Sequence, residues 1–109
     1  MTTSRVRTSI VAEFQAGKSH GQGKIRNLGA QGMFLGTEAK LDTGDVVDLR
    51  FRMPSGEPMA VRGLIWWSTR DEPSRNHKLR GVGLRLIEDN ESYEKAYDKL
   101  STKPLSGLQ

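Results

Sequence analysis

Apolar and polar residues alternate with a period of two along most of this chain, which predicts strands with one buried face. In the clearest run, over residues 46–53, the apolar positions are Val47, Leu49, Phe51 and Met53, and the charged ones are Asp48, Arg50 and Arg52. Similar patterns predict strands over residues 6–14, 21–27, 33–37, 59–68 and 80–87. The chain is therefore predicted to be mainly β.

Near the C-terminus the period changes to that of a helix. An apolar stripe recurs at i, i+3, i+4 and i+7, at Tyr93, Ala96, Tyr97 and Leu100. Asn90 is suited to cap the helix, and Pro104 is expected to end it. These signals predict a helix over residues 90–103, whose stripe packs on the strands, and a tail over 104–109.

Turn-forming residues separate the predicted strands, most clearly in the Pro54–Pro58 hairpin and in the polar loops at residues 16–23 and 70–78. Six strands followed by one helix favour a small six-stranded antiparallel β-barrel capped by a C-terminal α-helix. The 109 residues correspond to one domain, which we place at residues 1–103.

Two alternating sets of apolar residues compete for the inside of the strand over 59–68. One set contains Trp66 and the other Trp67, so one tryptophan is expected in the core and the other on the outer face. An outward tryptophan is suited to docking or stacking, although its own chain more often covers such a residue.

Composition excludes several classes of protein. Cysteine is absent, which rules out disulfide bonds, thiol catalysis and thiolate metal sites. Residues 1–9 lack the apolar core of a signal peptide, and no later segment reaches the length of a membrane span. We therefore expect a cytoplasmic protein without a membrane partner.

The net charge of +4 is concentrated at the start of the chain. Residues 1–27 carry five basic side chains and one acidic one, whereas residues 28–109 carry 12 of each. We expect residues 1–8 to form a basic, flexible arm. Its excess charge indicates an anionic partner, or else a solvated basic edge that keeps the protein in solution.

The sequence Asn27-Leu-Gly-Ala-Gln-Gly32 lies between two predicted strands and is expected to form a turn. Gly29 and Gly32 allow positive φ angles and a close approach of another molecule to the main chain. The Asn27 side chain offers donors and an acceptor beside this bare backbone. The turn is therefore either a binding surface or a purely conformational feature.

Clusters of residues for catalysis or metal binding are missing from the sequence. His20 and His77 fall in predicted loops without a second ligand at metal spacing. Asp42, Asp45 and Asp48 are not expected to converge, and they lack the glycine spacing of a calcium loop. The two Gly-x-Gly pairs lie outside any strand-turn-helix unit, which argues against a dinucleotide site. We therefore expect a non-enzymatic protein with no metal and no resident cofactor.

Five features resemble a PilZ domain in order and spacing: the basic segment, Asn27-x-Gly29-x-x-Gly32, the hairpin at Pro54–Pro58, Gly63-Leu-Ile-Trp66 and Gly81-Val-Gly-Leu84. The resemblance covers nearly the whole chain. It implies a six-stranded barrel with a C-terminal helix. It also implies a bacterial regulatory module, because many PilZ domains are receptors for cyclic di-GMP.

Such receptors bind the nucleotide with an Arg-x-x-x-Arg segment and a following Asp/Asn-x-Ser-x-x-Gly turn. By position, Asn27 matches the Asp/Asn and Gly32 the closing glycine, while Gly29 stands where the family usually has serine. Arg5 matches the second arginine, whereas the first would fall on Met1. The arginine pair is therefore incomplete.

From this resemblance we predict Arg5, Arg7 and Asn27 as ligand contacts beside the two glycines, with Arg26 and Arg80 as additional electrostatic contacts. Arginine suits such a ligand because its guanidinium group binds guanine O6 and N7 at two points and also neutralises phosphate. Arg7 could replace the missing arginine, although an i, i+2 pair points differently from an i, i+4 pair.

Three functions stay open at this point. The first is a cyclic di-GMP receptor whose basic arm folds over the ligand and changes the surface offered to a protein partner. The second is a degenerate PilZ adaptor that binds a protein without the nucleotide. The third and weakest is a basic barrel for single-stranded nucleic acid, because aromatic residues make up only 6% of the chain.

Overall fold

The structure is a computed structural model that describes residues 5–69 and 80–107, with side chains as far as Leu100 in the helix. Six antiparallel strands close into a barrel in the order β1-β2-β3-β6-β5-β4, and a helix follows. The elements are β1 (Arg5–Ala16), β2 (Ser19–Gly29), β3 (Gly32–Gly36), β4 (Val46–Arg52), β5 (Pro58–Ser68), β6 (Gly81–Leu86) and α1 (Glu91–Gly107). The predicted mainly β fold is confirmed.

The barrel interior is filled by the apolar positions that the period-two pattern placed on one face. On β4 and just beyond it, Val47, Leu49, Phe51 and Met53 are all buried, and the charged residues between them are exposed. Ile25 and Leu35 face each other from β2 and β3 and are also fully buried. Burial of these side chains supplies most of the driving force for folding.

The predicted loop over residues 16–23 is wrong, because β1 and β2 form one long hairpin. A two-residue turn at Gly17 and Lys18 joins the strands, and Gly17 has a φ of 62°. The tight turn lets strand pairing continue up to it, with Gln15 paired to His20 and Ala16 to Ser19. His20 therefore lies exposed on a strand and not in a loop. The predicted loop at 70–78, with His77, lies outside the described residues.

The expected flexible arm is also wrong for residues 5–8, which belong to β1. Arg5 pairs with Gly29 and Arg7 with Asn27, so backbone hydrogen bonds to β2 hold this segment in the barrel. The hydroxyl of Thr8 donates to the Ile25 carbonyl oxygen at 2.6 Å, beside an irregularity in the strand register. The basic side chains are thus presented on a strand.

The prediction that one tryptophan would be buried fails because β5 carries a bulge. The register of β5 against β6 shifts between Ile65 and Trp67, so the strict alternation breaks at this point. Trp66 is 57% exposed and Trp67 is 41% exposed. Both indole rings therefore belong to the outer surface of the barrel.

The helix begins where the sequence predicted and closes one end of the barrel. The Tyr93 N–H donates to Asn90 Oδ1 at 3.0 Å, which confirms Asn90 as the N-cap, and the Asn90 amide donates to the Ala60 carbonyl at 2.8 Å. The stripe of Tyr93, Ala96 and Tyr97 is buried against the barrel, as expected.

The helix ends later than predicted, since it continues past Pro104 to Gly107. Proline removes one N–H donor and its ring crowds the carbonyl four residues earlier, which is unfavourable in a helix interior, but its fixed φ is itself close to the helical value. No helix in the described part of the chain combines the length and the apolar character needed to cross a membrane.

Candidate functional site

Arg5 and Asn27, two of the predicted ligand contacts, are in direct contact on the outer surface of the barrel. Arg5 Nη1 donates to Asn27 Oδ1 at 2.6 Å. Arg5 and Arg7 are two residues apart on β1, and they pair with Gly29 and Asn27 on β2. Because residues two apart on a strand share a face, the fold brings these four predicted residues together.

Gly29 and Gly32 leave the backbone bare beside this pair, but not for the reason predicted. Neither has a positive φ; among the described residues positive φ angles occur at Gly17, Gly44 and Gly56. A Cβ on Gly32 would lie 2.4 Å from the Leu84 carbonyl oxygen, so only glycine allows β3 to approach β6 this closely. A Cβ on Gly29 would lie 3.5 Å from Arg5 Cζ.

The two remaining predicted contacts differ in their placement. Arg26 lies in a bulge of β2 next to Asn27 and extends over Gly36 of β3, which keeps it at the edge of the same surface. Arg80 lies beyond the far end of β6, where Nη1 is 3.5 Å from Glu38 Oε1. The structure therefore does not bring Arg80 to the Arg5–Asn27 pair.

Sequence reasoning missed Arg85, which lies across the glycines from Arg5. Gly32 pairs with Arg85, and Gly29 approaches Gly32, so one row across the barrel reads Arg5, Gly29, Gly32, Arg85. The Arg85 guanidinium lies 5.1 Å from the centre of the Trp66 ring, within range of a cation–π interaction. The signal available in the sequence was the alternation of β6, which places Arg85 outward.

A second row adds aromatic rings to the same surface. Asn27 pairs with Phe34, Phe34 with Gly83, and Gly83 with Trp67. The Phe34 and Trp67 ring centres are 5.5 Å apart. A Cβ on Gly83 would lie 2.1 Å from Trp67 Nε1, so the glycine makes room for the indole. The alternation of apolar and polar residues in β5 did not predict the bulge that turns both tryptophans outward.

We call the surface formed by these two rows, with Arg7, the glycine face. It spans four interstrand spacings from β1 to β5, each about 4.8 Å. Among the described residues, no ion pair under 4.0 Å involves Arg5, Arg7 or Arg85. Guanidinium groups at both sides of bare backbone, with an amide and aromatic rings nearby, suit a planar anionic ligand.

The inner side of the glycine face is held by a buried tyrosine. The Tyr93 hydroxyl donates to the Gly29 carbonyl oxygen at 2.7 Å, and Tyr93 is fully buried. Burial, with a smaller contribution from nearby Tyr97, raises the pKa of the Tyr93 hydroxyl above its usual value, although Arg5 acts in the opposite direction. The hydroxyl therefore keeps its proton and remains a donor at neutral pH.

Groups suited to bind a metal ion are absent from the described residues, in which no three histidine, aspartate or glutamate side chains converge. Exposed His20 lines a shallow polar cleft of about 350 Å³ with Glu13, Gln15 and Asp48, at the other end of β2 from Asn27. This cleft is separate from the glycine face.

Comparison with known proteins identifies the fold. Residues 2–101 match the sequence model of the PilZ domain. The structure of the Bacillus subtilis inhibitor of motility (MotI/DgrA) is similar with a TM-score of 0.78 and 11% sequence identity, and the match covers 100% of this chain and 52% of that one. This chain thus spans about half the length of the motility inhibitor.

A second similar structure is the crystal structure of the PilZ domain of CeSA from a cellulose-synthesizing bacterium. It has a TM-score of 0.60 and 22% sequence identity, and the match covers 89% of this chain and 93% of that chain. No curated protein sequence matches the chain. Because both structures are less than 25% identical to this chain, their similarity establishes the fold alone.

Proposed function

Since this chain belongs to the PilZ domain family, whose model matches residues 2–101, we propose that it is a non-enzymatic receptor for cyclic di-GMP. The observation that carries the proposal is the 2.6 Å hydrogen bond from Arg5 to Asn27 beside the bare backbone of Gly29 and Gly32. These residues occupy the positions with which the family binds the nucleotide.

The ligand would lie on the glycine face, with its negative charge between the guanidinium groups. Arg5 and Arg7 are suited to guanine O6 and N7 or to a phosphate, and Asn27 to a base edge. Arg85 supplies a further guanidinium group from β6, where it compensates for the arginine that the family motif would place at Met1. Trp66 and Trp67 offer exposed rings to a purine at the same side.

The first experiment is calorimetric titration of the full chain with cyclic di-GMP at near-physiological salt, with GTP and a short single-stranded oligonucleotide as controls. We expect selective binding at micromolar or lower concentration. Arg5→Ala should weaken it about ten- to a hundredfold, because a two-point contact of arginine with guanine contributes roughly 1 to 3 kcal/mol.

Arg80→Ala is the matched control for Arg5→Ala, because it removes the same charge from a position outside the glycine face. It should leave the affinity within about twofold of wild type, as expected when only a distant, screened charge is lost. Equal losses in both variants would mean that the protein attracts the nucleotide by net charge alone, and no binding by wild type would reject the receptor.

A second function, an adaptor that docks a protein partner, is favoured by an exposed apolar patch. Val46 on β4 pairs with Leu64 on β5, and Leu64 pairs with Arg85, so these residues share the outer surface with Trp66. Val46 is 43% exposed and Trp66 57% exposed. Tryptophan and arginine are enriched among the residues that dominate protein interfaces.

The same titration separates the two functions. Absence of heat, together with an unchanged melting temperature at millimolar cyclic di-GMP, would favour the adaptor, because a ligand that binds the folded state must stabilise it. Binding by wild type would favour the receptor. In that case the apolar patch would be the surface that a protein partner contacts when cyclic di-GMP is bound.

A further inference from the structure

Helix α1 contacts the glycine face through Tyr93, on its first turn. Tyr93 is fully buried, and its hydroxyl donates to the Gly29 carbonyl oxygen, 64 residues earlier in the chain, at 2.7 Å. Tyr93 is itself held in place by the helix cap, since its N–H donates to Asn90 Oδ1. The position of the helix and the position of Gly29 are therefore linked by hydrogen bonds.

The Gly29 peptide lies between this hydroxyl and the predicted ligand contacts. The Arg5 guanidinium lies on its outer side, since a Cβ placed on Gly29 would be 3.5 Å from Arg5 Cζ. Arg5 also donates a hydrogen bond to Asn27. On its inner side the carbonyl accepts from Tyr93. A displacement of this peptide must therefore change the surroundings of both Arg5 and the helix.

We propose that Tyr93 is a positioning residue that sets the geometry of the Arg5–Asn27 pair and couples α1 to occupancy of the glycine face. The proposal rests on the function proposed above, in which that face binds cyclic di-GMP. Tyr93 does not touch the ligand. It acts by fixing the Gly29 carbonyl.

The physical basis is the cost of a buried carbonyl group without a donor. If the hydroxyl is removed, the Gly29 oxygen must find water or leave the apolar surroundings of Tyr93, and either change displaces the end of β2. Coupling is reciprocal, so a helix that stabilises the bound geometry of Gly29 is itself stabilised when ligand binds.

The test compares Tyr93→Phe with Tyr97→Phe. Tyr97 is the matched control because it is also buried, on the next turn of α1, with its ring stacked at 6.2 Å from that of Tyr93. Each variant loses one hydroxyl and keeps its ring. Only Tyr93→Phe removes the hydrogen bond to Gly29.

The first measurement needs no ligand. In amide hydrogen exchange of the full chain, Tyr93→Phe should increase the exchange of Asn27 and of residues 29–32 about five- to tenfold relative to the barrel core, since a buried hydrogen bond is lost. Tyr97→Phe should leave the relative exchange of this segment unchanged. Equal exchange in the two variants would overturn the positioning role of Tyr93.

The second measurement is calorimetry with cyclic di-GMP, combined with exchange of α1 in the presence of ligand. Tyr93→Phe should bind about tenfold more weakly than Tyr97→Phe, and ligand should slow exchange in α1 of wild type but not of Tyr93→Phe. If wild type binds the nucleotide and the two variants bind it with equal affinity, the coupling between α1 and the ligand is overturned, while the effect of Tyr93 on Gly29 is not. No binding by wild type, with the exchange difference present, would reject the receptor while the positioning role stands.

Discussion

Glycine residues shape the candidate site because they have no side chain, and not because they adopt unusual dihedral angles. Gly32 allows β3 to lie against the Leu84 carbonyl oxygen, and Gly83 makes room for the Trp67 indole. Gly29 leaves its outer side open to Arg5. The surface is therefore flat backbone with arginine side chains at its margins, as expected where a ligand or another chain approaches closely.

Substitution of Gly32 tests this account. A Cβ at residue 32 would lie 2.4 Å from a backbone oxygen of β6, so Gly32→Ala must displace one of the two strands. We expect a loss of roughly 2 to 3 kcal/mol in the free energy of unfolding, measured by urea denaturation.

Gly29→Ala is the matched comparison, because the closest contact of a Cβ at residue 29 would be with the Gly32 carbonyl oxygen, at 3.3 Å. It should cost less than about 1 kcal/mol, as small adjustments can relieve the contact. Similar losses of stability in the two variants would show that the close approach of β3 and β6 is not what requires glycine at position 32.

At the scale of elements, α1 is fastened to the barrel at two places by polar contacts. The Asn90 side chain accepts from the helix and donates to the Ala60 carbonyl of β5, while Tyr93 reaches Gly29 of β2. The helix therefore connects two strands that are not neighbours in the sheet. This placement is what allows α1 to respond to the end of β2.

Asn90→Ala removes the helix cap and the contact with β5 together. We expect it to lower the free energy of unfolding by about 1 to 2 kcal/mol, which thermal or urea denaturation would measure. Ser92→Ala, at an exposed position of the first turn, should change it by less than about 0.5 kcal/mol. If the Asn90 cap contributed nothing to stability, Asn90→Ala and Ser92→Ala would have the same free energy of unfolding.

At the scale of the whole molecule, barrel closure assembles the candidate site from four strands. Arg5 comes from β1, Asn27 from β2, Gly32 from β3 and Arg85 from β6, so residues 80 positions apart in sequence meet on one surface. Cooperative unfolding of a small domain would abolish this surface in one step. Binding and global stability should therefore be linked.

Global stability should depend on pH through Tyr93. Its pKa is raised above the usual value of 10.0, chiefly by burial, so the folded state holds this proton more tightly than the unfolded state. The corresponding stability is present below pH 10 and is lost as the pH rises above it. We expect the free energy of unfolding to fall at alkaline pH, and to fall less in Tyr93→Phe than in Tyr97→Phe.

The sequence by itself determined the number of strands, the inward residues of β4 and the start of α1. These features depend on local periodicity and on capping, which neighbouring residues decide. It also predicted Arg5 and Asn27 as contacts of one ligand, although through resemblance to a family rather than through geometry.

Only the tertiary structure decided that Trp66 and Trp67 both face outward, that Arg80 lies away from the glycine face and that Arg85 lies on it. Each of these depends on strand register, which is set by pairing between distant segments and which a single bulge shifts by one residue. The hydrogen bond from Tyr93 to Gly29 likewise joins residues far apart in sequence. No local pattern encodes such contacts, because they arise when the barrel closes and the helix packs against it.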